Sequence, residues 1–99
     1  MHDQERSENI QEYFLQFFEN RRKDCSKAKA ALNQKSFEDV ARVGHAIKGV
    51  ARPFGFPDLE TMGLKLEEAG LSKDLNSCLK IVENIEKLID EEEKKLSQV

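Results

Sequence analysis

Residues 45 to 49 read His-Ala-Ile-Lys-Gly, inside a stretch whose apolar spacing is helical. Positions i, i+3 and i+4 share one helix face. His45, Lys48 and Gly49 therefore form one patch: a nucleophile, a fixed cation and a gap in the side-chain cover. A glycine in a helix interior costs roughly 1 kcal/mol relative to alanine. Its place beside an imidazole and an ammonium points to a need for bare backbone. The combination suits a histidine that another protein must approach and that must carry an anion.

The elements around this patch decide where it faces. Advancing about 100° per residue, the apolar stripe centred on Val40, Gly44, Ile47 and Ala51 leaves His45 roughly 130° away, on a flank. That flank also carries Glu38, Ala41, Arg42, Lys48, Gly49 and Arg52. Three cations thus surround one histidine on a chain whose net charge is −3. Gly44 lies on the core stripe, where it permits a close helix crossing. Gly49 lies off it, and steric access to His45 is the reason that remains. Two plainer readings stay open from the residues alone. A single helical histidine is commonly an ordinary surface residue, and Lys48 and Arg52 can be solubilising charges.

Helical periodicity accounts for nearly the whole chain. A first helix is predicted from about Ser7, its cap, to Leu32, with Ile10, Phe14, Phe17, Cys25, Ala28 and Leu32 as its buried stripe and Phe18 at the edge. After an Asn33-Gln34-Lys35 turn, Ser36 caps a second helix, with Asp39 completing a loose capping box. Phe37, Val40, Gly44, Ile47, Ala51 and Phe54 follow the spacing of a bundle helix. Pro53 and Gly55 end it. A third helix starts near Pro57 or Asp58, buries Leu59, Met62, Leu66 and Ala69, and stops at Gly70. The fourth runs from about Lys73 into the charged tail, along Leu75, Cys78, Leu79, Val82, Ile85, Leu88, Ile89 and Leu96. Four amphipathic helices with short connections give an all-α, antiparallel up-down four-helix bundle, read as a single domain over residues 1–99.

Composition excludes several classes of function. With 35% charged and 38% hydrophobic residues, two prolines and five glycines, the chain reads as soluble and helical. Its net acidity argues against general nucleic-acid binding. No apolar run approaches the ~20 residues of a membrane span. The acidic start, Met1-His2-Asp3-Gln4-Glu5, lacks the apolar centre of a signal peptide, so a cytoplasmic protein is expected. Cys25 and Cys78 fall beside apolar helix positions and read as small core residues. Two histidines 43 residues apart and no Cys-x-x-Cys give no metal motif. No cofactor is expected, and apolar stripes used internally suggest a monomer.

The segment His45-Ala46-Ile47-Lys48-Gly49-Val50-Ala51-Arg52-Pro53-Phe54-Gly55-Phe56, followed by Leu59 and by Leu66-Glu67, resembles a histidine phosphotransfer (HPt) domain. The Phe-Gly-Phe segment is especially similar to the phosphotransfer domain of chemotaxis histidine kinases. The resemblance implies a phosphorelay carrier. His45 would take a phosphoryl group on Nε2 from a kinase or from a receiver-domain aspartyl phosphate, then pass it to a response-regulator aspartate. Lys48 would neutralise the phosphoryl oxygens, and Gly49 would admit the partner's loops. Glu67 would accept a hydrogen bond from the other ring nitrogen, although a plain surface carboxylate beside Glu68 is an equal reading of it. Arg42 and Arg52 would steer an acidic receiver surface or the phosphate. Val50, Ala51, Arg52 and Pro53 depart from the small polar residues usual after the motif, with Pro53 expected to end or kink the helix early.

Two other readings compete. The chain can be the substrate domain excised from a chemotaxis-type kinase, or a helical interaction module that docks a partner through the Gly49 flank without being phosphorylated.

Overall fold

The chain folds as four helices: α1 (His2–Asn33), α2 (Phe37–Phe54), α3 (Pro57–Leu71) and α4 (Leu75–Ser97). The computed structural model describes the backbone of residues 2–98 and the side chains of residues 10–98. All three connections use one device. At the end of α1, Lys35 N–H donates to the Leu32 carbonyl and Ser36 N–H to that of Ala31. Gly55 and Phe56 do the same to Arg52 and Ala51, and Lys73 and Asp74 to Gly70 and Ala69. These are Schellman closures, which need a left-handed residue just past the helix. Lys35, Gly55 and Lys73 supply it, with φ of 56°, 80° and 56°. In each case the next residue already precedes the following helix, so the chain reverses within a few residues and neighbouring helices run antiparallel.

Contacts between helices fix the register. Arg22 pairs with Asp90 and Glu93, and Lys29 with Glu86 at 2.7 Å, so α1 and α4 run in opposite directions. Phe17 stacks on Phe54 at 4.1 Å and on Phe56 at 5.4 Å, which ties the α2–α3 turn to the first half of α1. The core is filled from every helix, with Phe17, Ala28, Ile47, Ala51, Leu66, Val82, Ile85 and Ile89 all buried. Cys25 and Cys78 are buried free thiols, and burial pushes the Cys25 thiol up to about 12.

The closest packing lies between α2 and α3. A Cβ added at Gly63 would sit 2.6 Å from the Lys48 amide nitrogen, and one at Gly70 2.8 Å from that of Ala41. On the opposite helix, a Cβ at Gly44 would strike the Glu67 backbone and come within 2.7 Å of the Gly63 carbonyl oxygen. Backbone therefore lies on backbone along this seam, a separation that only glycine permits. The close crossing expected at Gly44 is present.

Several sequence-based boundaries move. The first helix is already helical from His2, because residues 2–6 contain no glycine or proline to prevent it; the expected Ser7 cap lies outside the side chains described. Ile10 is exposed, since this part of α1 precedes the level at which the other helices pack. Ser36 precedes α2 but gives no side-chain cap, its hydroxyl donating instead to Asp39 Oδ2 at 2.7 Å. Pro53 is accommodated inside α2, which ends one residue later at Phe54. Gly70 does not stop α3; it is a packing glycine, and Lys73 makes the left-handed exit. Helix α4 starts at Leu75 rather than Lys73, capped by Asp74, whose carboxylate accepts from Ser77 N–H at 3.1 Å. Leu75 and Leu79 are exposed instead of buried.

The seam separates the glycines by consequence. Gly63→Ala is expected to destabilise the fold by about 1–3 kcal/mol, since rigid backbone must move apart. Gly49→Ala meets nothing within 4 Å and should stabilise α2 by up to about 1 kcal/mol. Urea denaturation of both variants checks this, and the expectation fails if the two shift the midpoint in the same direction.

Candidate functional site

The seam determines what reaches His45. With α2 and α3 in backbone contact, Glu67 of α3 is carried to the outer edge of α2. There His45 Nδ1 lies 3.0 Å from Glu67 Oε2, and Lys48 Nζ donates to Glu67 Oε1 at 2.9 Å. One carboxylate thus serves both motif residues. His45 is exposed (68% for the side chain), whereas Lys48 and Glu67 are half-buried beneath it.

The contact with Glu67 bears on which ring nitrogen carries hydrogen. Glu67 is held below the usual carboxylate range, chiefly by its hydrogen bond from Lys48 and less by the charge of Lys48 and by His45. An ionised carboxylate only accepts. Nδ1 must then bear the proton it shares with Glu67, and in the neutral ring Nε2 keeps its lone pair. No described residue bonds to Nε2. The arrangement can present an outward-facing nitrogen nucleophile whose tautomer and ring plane are set from behind.

Gly49 lies one helical step beyond His45 on the same face. A Cβ there would meet nothing within 4 Å, so the protein's own packing does not call for glycine. Pro53 has no N–H to return to the Gly49 carbonyl. The backbone here is therefore bare of side chain and lacks its usual helical donor.

The two arginines sit differently. Arg42 binds Asp39 at 3.1 Å, and Arg52 binds Glu60 at 2.8 Å. The positive flank read from the sequence is thus balanced cation by cation: Arg42 by Asp39, Lys48 by Glu67, Arg52 by Glu60. Arg42 nevertheless shares a recess with His45, together with Glu38, Ala41, Glu67 and Leu71. Sequence reasoning missed Leu71 and Leu64. Both are exposed and flank Glu67 on α3, and their i, i+7 spacing around that residue was the available signal. Gly63 and Gly70 were missed as packing residues, though the same seven-residue spacing links them.

No group of three or more metal-ligating side chains occurs among the described residues, and none of their helices is long and apolar enough to cross a membrane. Comparison with protein families matches residues 12–95 to the Hpt domain. The chain belongs to the Hpt domain family. As an Hpt domain it has a phosphotransfer carrier role in two-component signalling, a system whose kinases and receiver domains are the partners of such domains. Searches of curated proteins and of solved structures give no match. The match spans parts of all four helices, so the Hpt domain includes both His45 and its supporting carboxylate.

The Glu67 bridge has a measurable signature. At neutral pH, imidazole ¹⁵N NMR should show a protonated Nδ1 and an unprotonated Nε2 at His45, a preference that Glu67→Gln removes. Lys48→Met should raise the Glu67 pKa in a carboxyl ¹³C titration. Because folding lowers this pKa, the bridge stabilises the fold above the carboxylate range of the unfolded chain and loses that contribution as acid protonates Glu67. A tautomer preference that survives Glu67→Gln would assign the control of His45 elsewhere.

Proposed function

We propose that His45 is the phosphoacceptor of this Hpt domain. It would accept a phosphoryl group from a sensor kinase or from the aspartyl phosphate of a receiver domain, and deliver it to a response-regulator aspartate. The observation that carries the reading is the split of the ring: Nδ1 is bonded to Glu67, while Nε2 has no described partner on a largely exposed side chain.

The chemistry follows from that split. The Nε2 lone pair attacks phosphorus as the donor's acyl O–P bond, or the terminal anhydride bond of kinase-bound ATP, breaks. The released electron pair stays on the departing carboxylate or nucleoside diphosphate. The product ring is a phosphorylated imidazolium whose Nδ1–H remains bonded to Glu67, so the positive charge formed on the ring lies beside a carboxylate. In the return step a receiver carboxylate attacks phosphorus and the N–P bond breaks, restoring the starting tautomer. This is nucleophilic catalysis divided between two proteins.

Each neighbour has a part. Glu67 orients the ring and raises the basicity of the attacking nitrogen. Lys48, already tethered beside it, neutralises phosphoryl oxygens, in keeping with the reliance of phosphoryl transfer on positioning and charge. Gly49 keeps the approach clear for the partner's loops. Arg42 and Arg52 face an acidic receiver surface once their own carboxylates share them. ATP and Mg²⁺ belong to the partners, and the chain acts as one monomeric phosphotransfer unit in the cytoplasm.

Purified protein mixed with an active histidine kinase or a phosphorylated receiver and Mg²⁺ should acquire an acid-labile, base-stable phosphate. His45→Gln should lose it while still binding the receiver, because the helix and its surface keep their shape. Gly49→Phe should weaken both binding and transfer. Receiver binding without label from any donor would instead favour a docking module that is not phosphorylated.

A further inference from the structure

Pro53 stands where a helix tolerates it poorly, inside α2 and one residue before its end at Phe54. Its ring carries no N–H, so the carbonyl four residues earlier, that of Gly49, loses its helical donor. The fold does not need a proline to end this helix. Gly55 ends it in the left-handed conformation, and the N–H groups of Gly55 and Phe56 satisfy the Arg52 and Ala51 carbonyls. The Gly49 carbonyl lies outside that closure. The two neighbouring cations are engaged elsewhere, Lys48 with Glu67 at 2.9 Å and Arg52 with Glu60 at 2.8 Å.

This oxygen is open to a visitor. Gly49 has no side chain to shade it, and Ala46, Gly49 and Pro53 are all exposed. It lies about one helical turn beyond His45 on the same face. A backbone carbonyl only accepts, so whatever meets it must donate. The two routes of phosphate to and from His45 differ in what they bring there. With ATP as donor, a triphosphate stands between the kinase and the imidazole. With a receiver, the phosphoryl group is borne by an aspartate of the protein itself, so protein N–H groups arrive within a side chain's length of Nε2. We propose that Pro53 withholds a helical hydrogen bond so that the Gly49 carbonyl accepts one from an N–H of the docked receiver domain. Pro53 is then a positioning residue for the receiver step alone. This inference rests on His45 being the phosphoacceptor.

The test uses the whole chain. Phosphoramidate, a small donor that needs no docking, first labels the wild-type protein, its P–N bond breaking and ammonia leaving as the Nε2–P bond forms. Labelled protein is then offered to a receiver domain with Mg²⁺, and unlabelled protein to a histidine kinase with ATP. Pro53→Ala restores the N–H and should raise KM for the receiver about fivefold, the worth of one neutral hydrogen bond, with kcat little changed. Labelling by phosphoramidate and by the kinase should keep wild-type rates. The same variant should unfold at higher urea, because alanine suits a helix interior and proline does not. Weaker transfer in a more stable protein is a pair that damage to the fold does not produce. Lactic acid at position 53, introduced by chemical synthesis, lacks the N–H without having the ring and should keep the wild-type KM. Pro57→Ala, at the first turn of α3 where a new N–H meets no helical carbonyl, should also keep it. Wild-type KM in Pro53→Ala, or an equal rise with lactic acid or in Pro57→Ala, would overturn the freed carbonyl as the contact. An equal loss in the kinase step would overturn the receiver as the owner of the donor. Failure of phosphoramidate to label His45 would remove the phosphoacceptor reading itself, a result separate from the others.

Discussion

Backbone contact between α2 and α3 is the constraint on which the site depends. Gly44, Gly63 and Gly70 remove the side chains that would hold the two helices apart. Glu67 owes its reach to this. Were the helices separated by ordinary side chains, with axes 8–10 Å apart as in most packed pairs, the carboxylate would lie farther from the imidazole. The bridge to His45 is therefore a product of packing as much as of polar chemistry. It is also economical in residues: one carboxylate fixes a tautomer with one oxygen and holds an ammonium with the other.

Two kinds of glycine are thus at work on α2, and they answer opposite requirements. Gly44 is glycine because something is too close; Gly49 is glycine although nothing of the protein itself is near. Five residues apart on one helix, they separate what the fold needs from what a visitor needs.

Much of this was legible in the sequence, for identifiable reasons. Apolar residues at helical spacing mark the core directly, so Val40, Ile47, Ala51, Leu66, Val82 and Ile85 could be placed from their period alone, and the buried cysteines with them. The His45, Lys48 and Gly49 face followed from the same geometry. What could not be read depended on the neighbouring helix. Gly70 resembles a helix stop until Ala41 is seen beneath it. Arg42 and Arg52 suggest a positive flank until Asp39 and Glu60 are found beside them. Lys35 and Lys73 show no preference for left-handed backbone in sequence; only the turn geometry demands it. The exposed leucines at 75 and 79 fit an apolar stripe by spacing, yet lie at the end of the bundle where no helix covers them.

The two sealed thiols have a practical consequence. Cys25 and Cys78 lie on different helices within one core, without a disulfide, and Cys25 is held well above the pH at which thiolates ordinarily form. A thiol reagent reacts with thiolate, so in the folded protein both sulfurs are shielded twice, by access and by ionisation. The rate at which they are modified then measures how often the bundle opens, without any introduced probe. The same natural pair can register a partner's effect on that opening while the imidazole outside remains untouched.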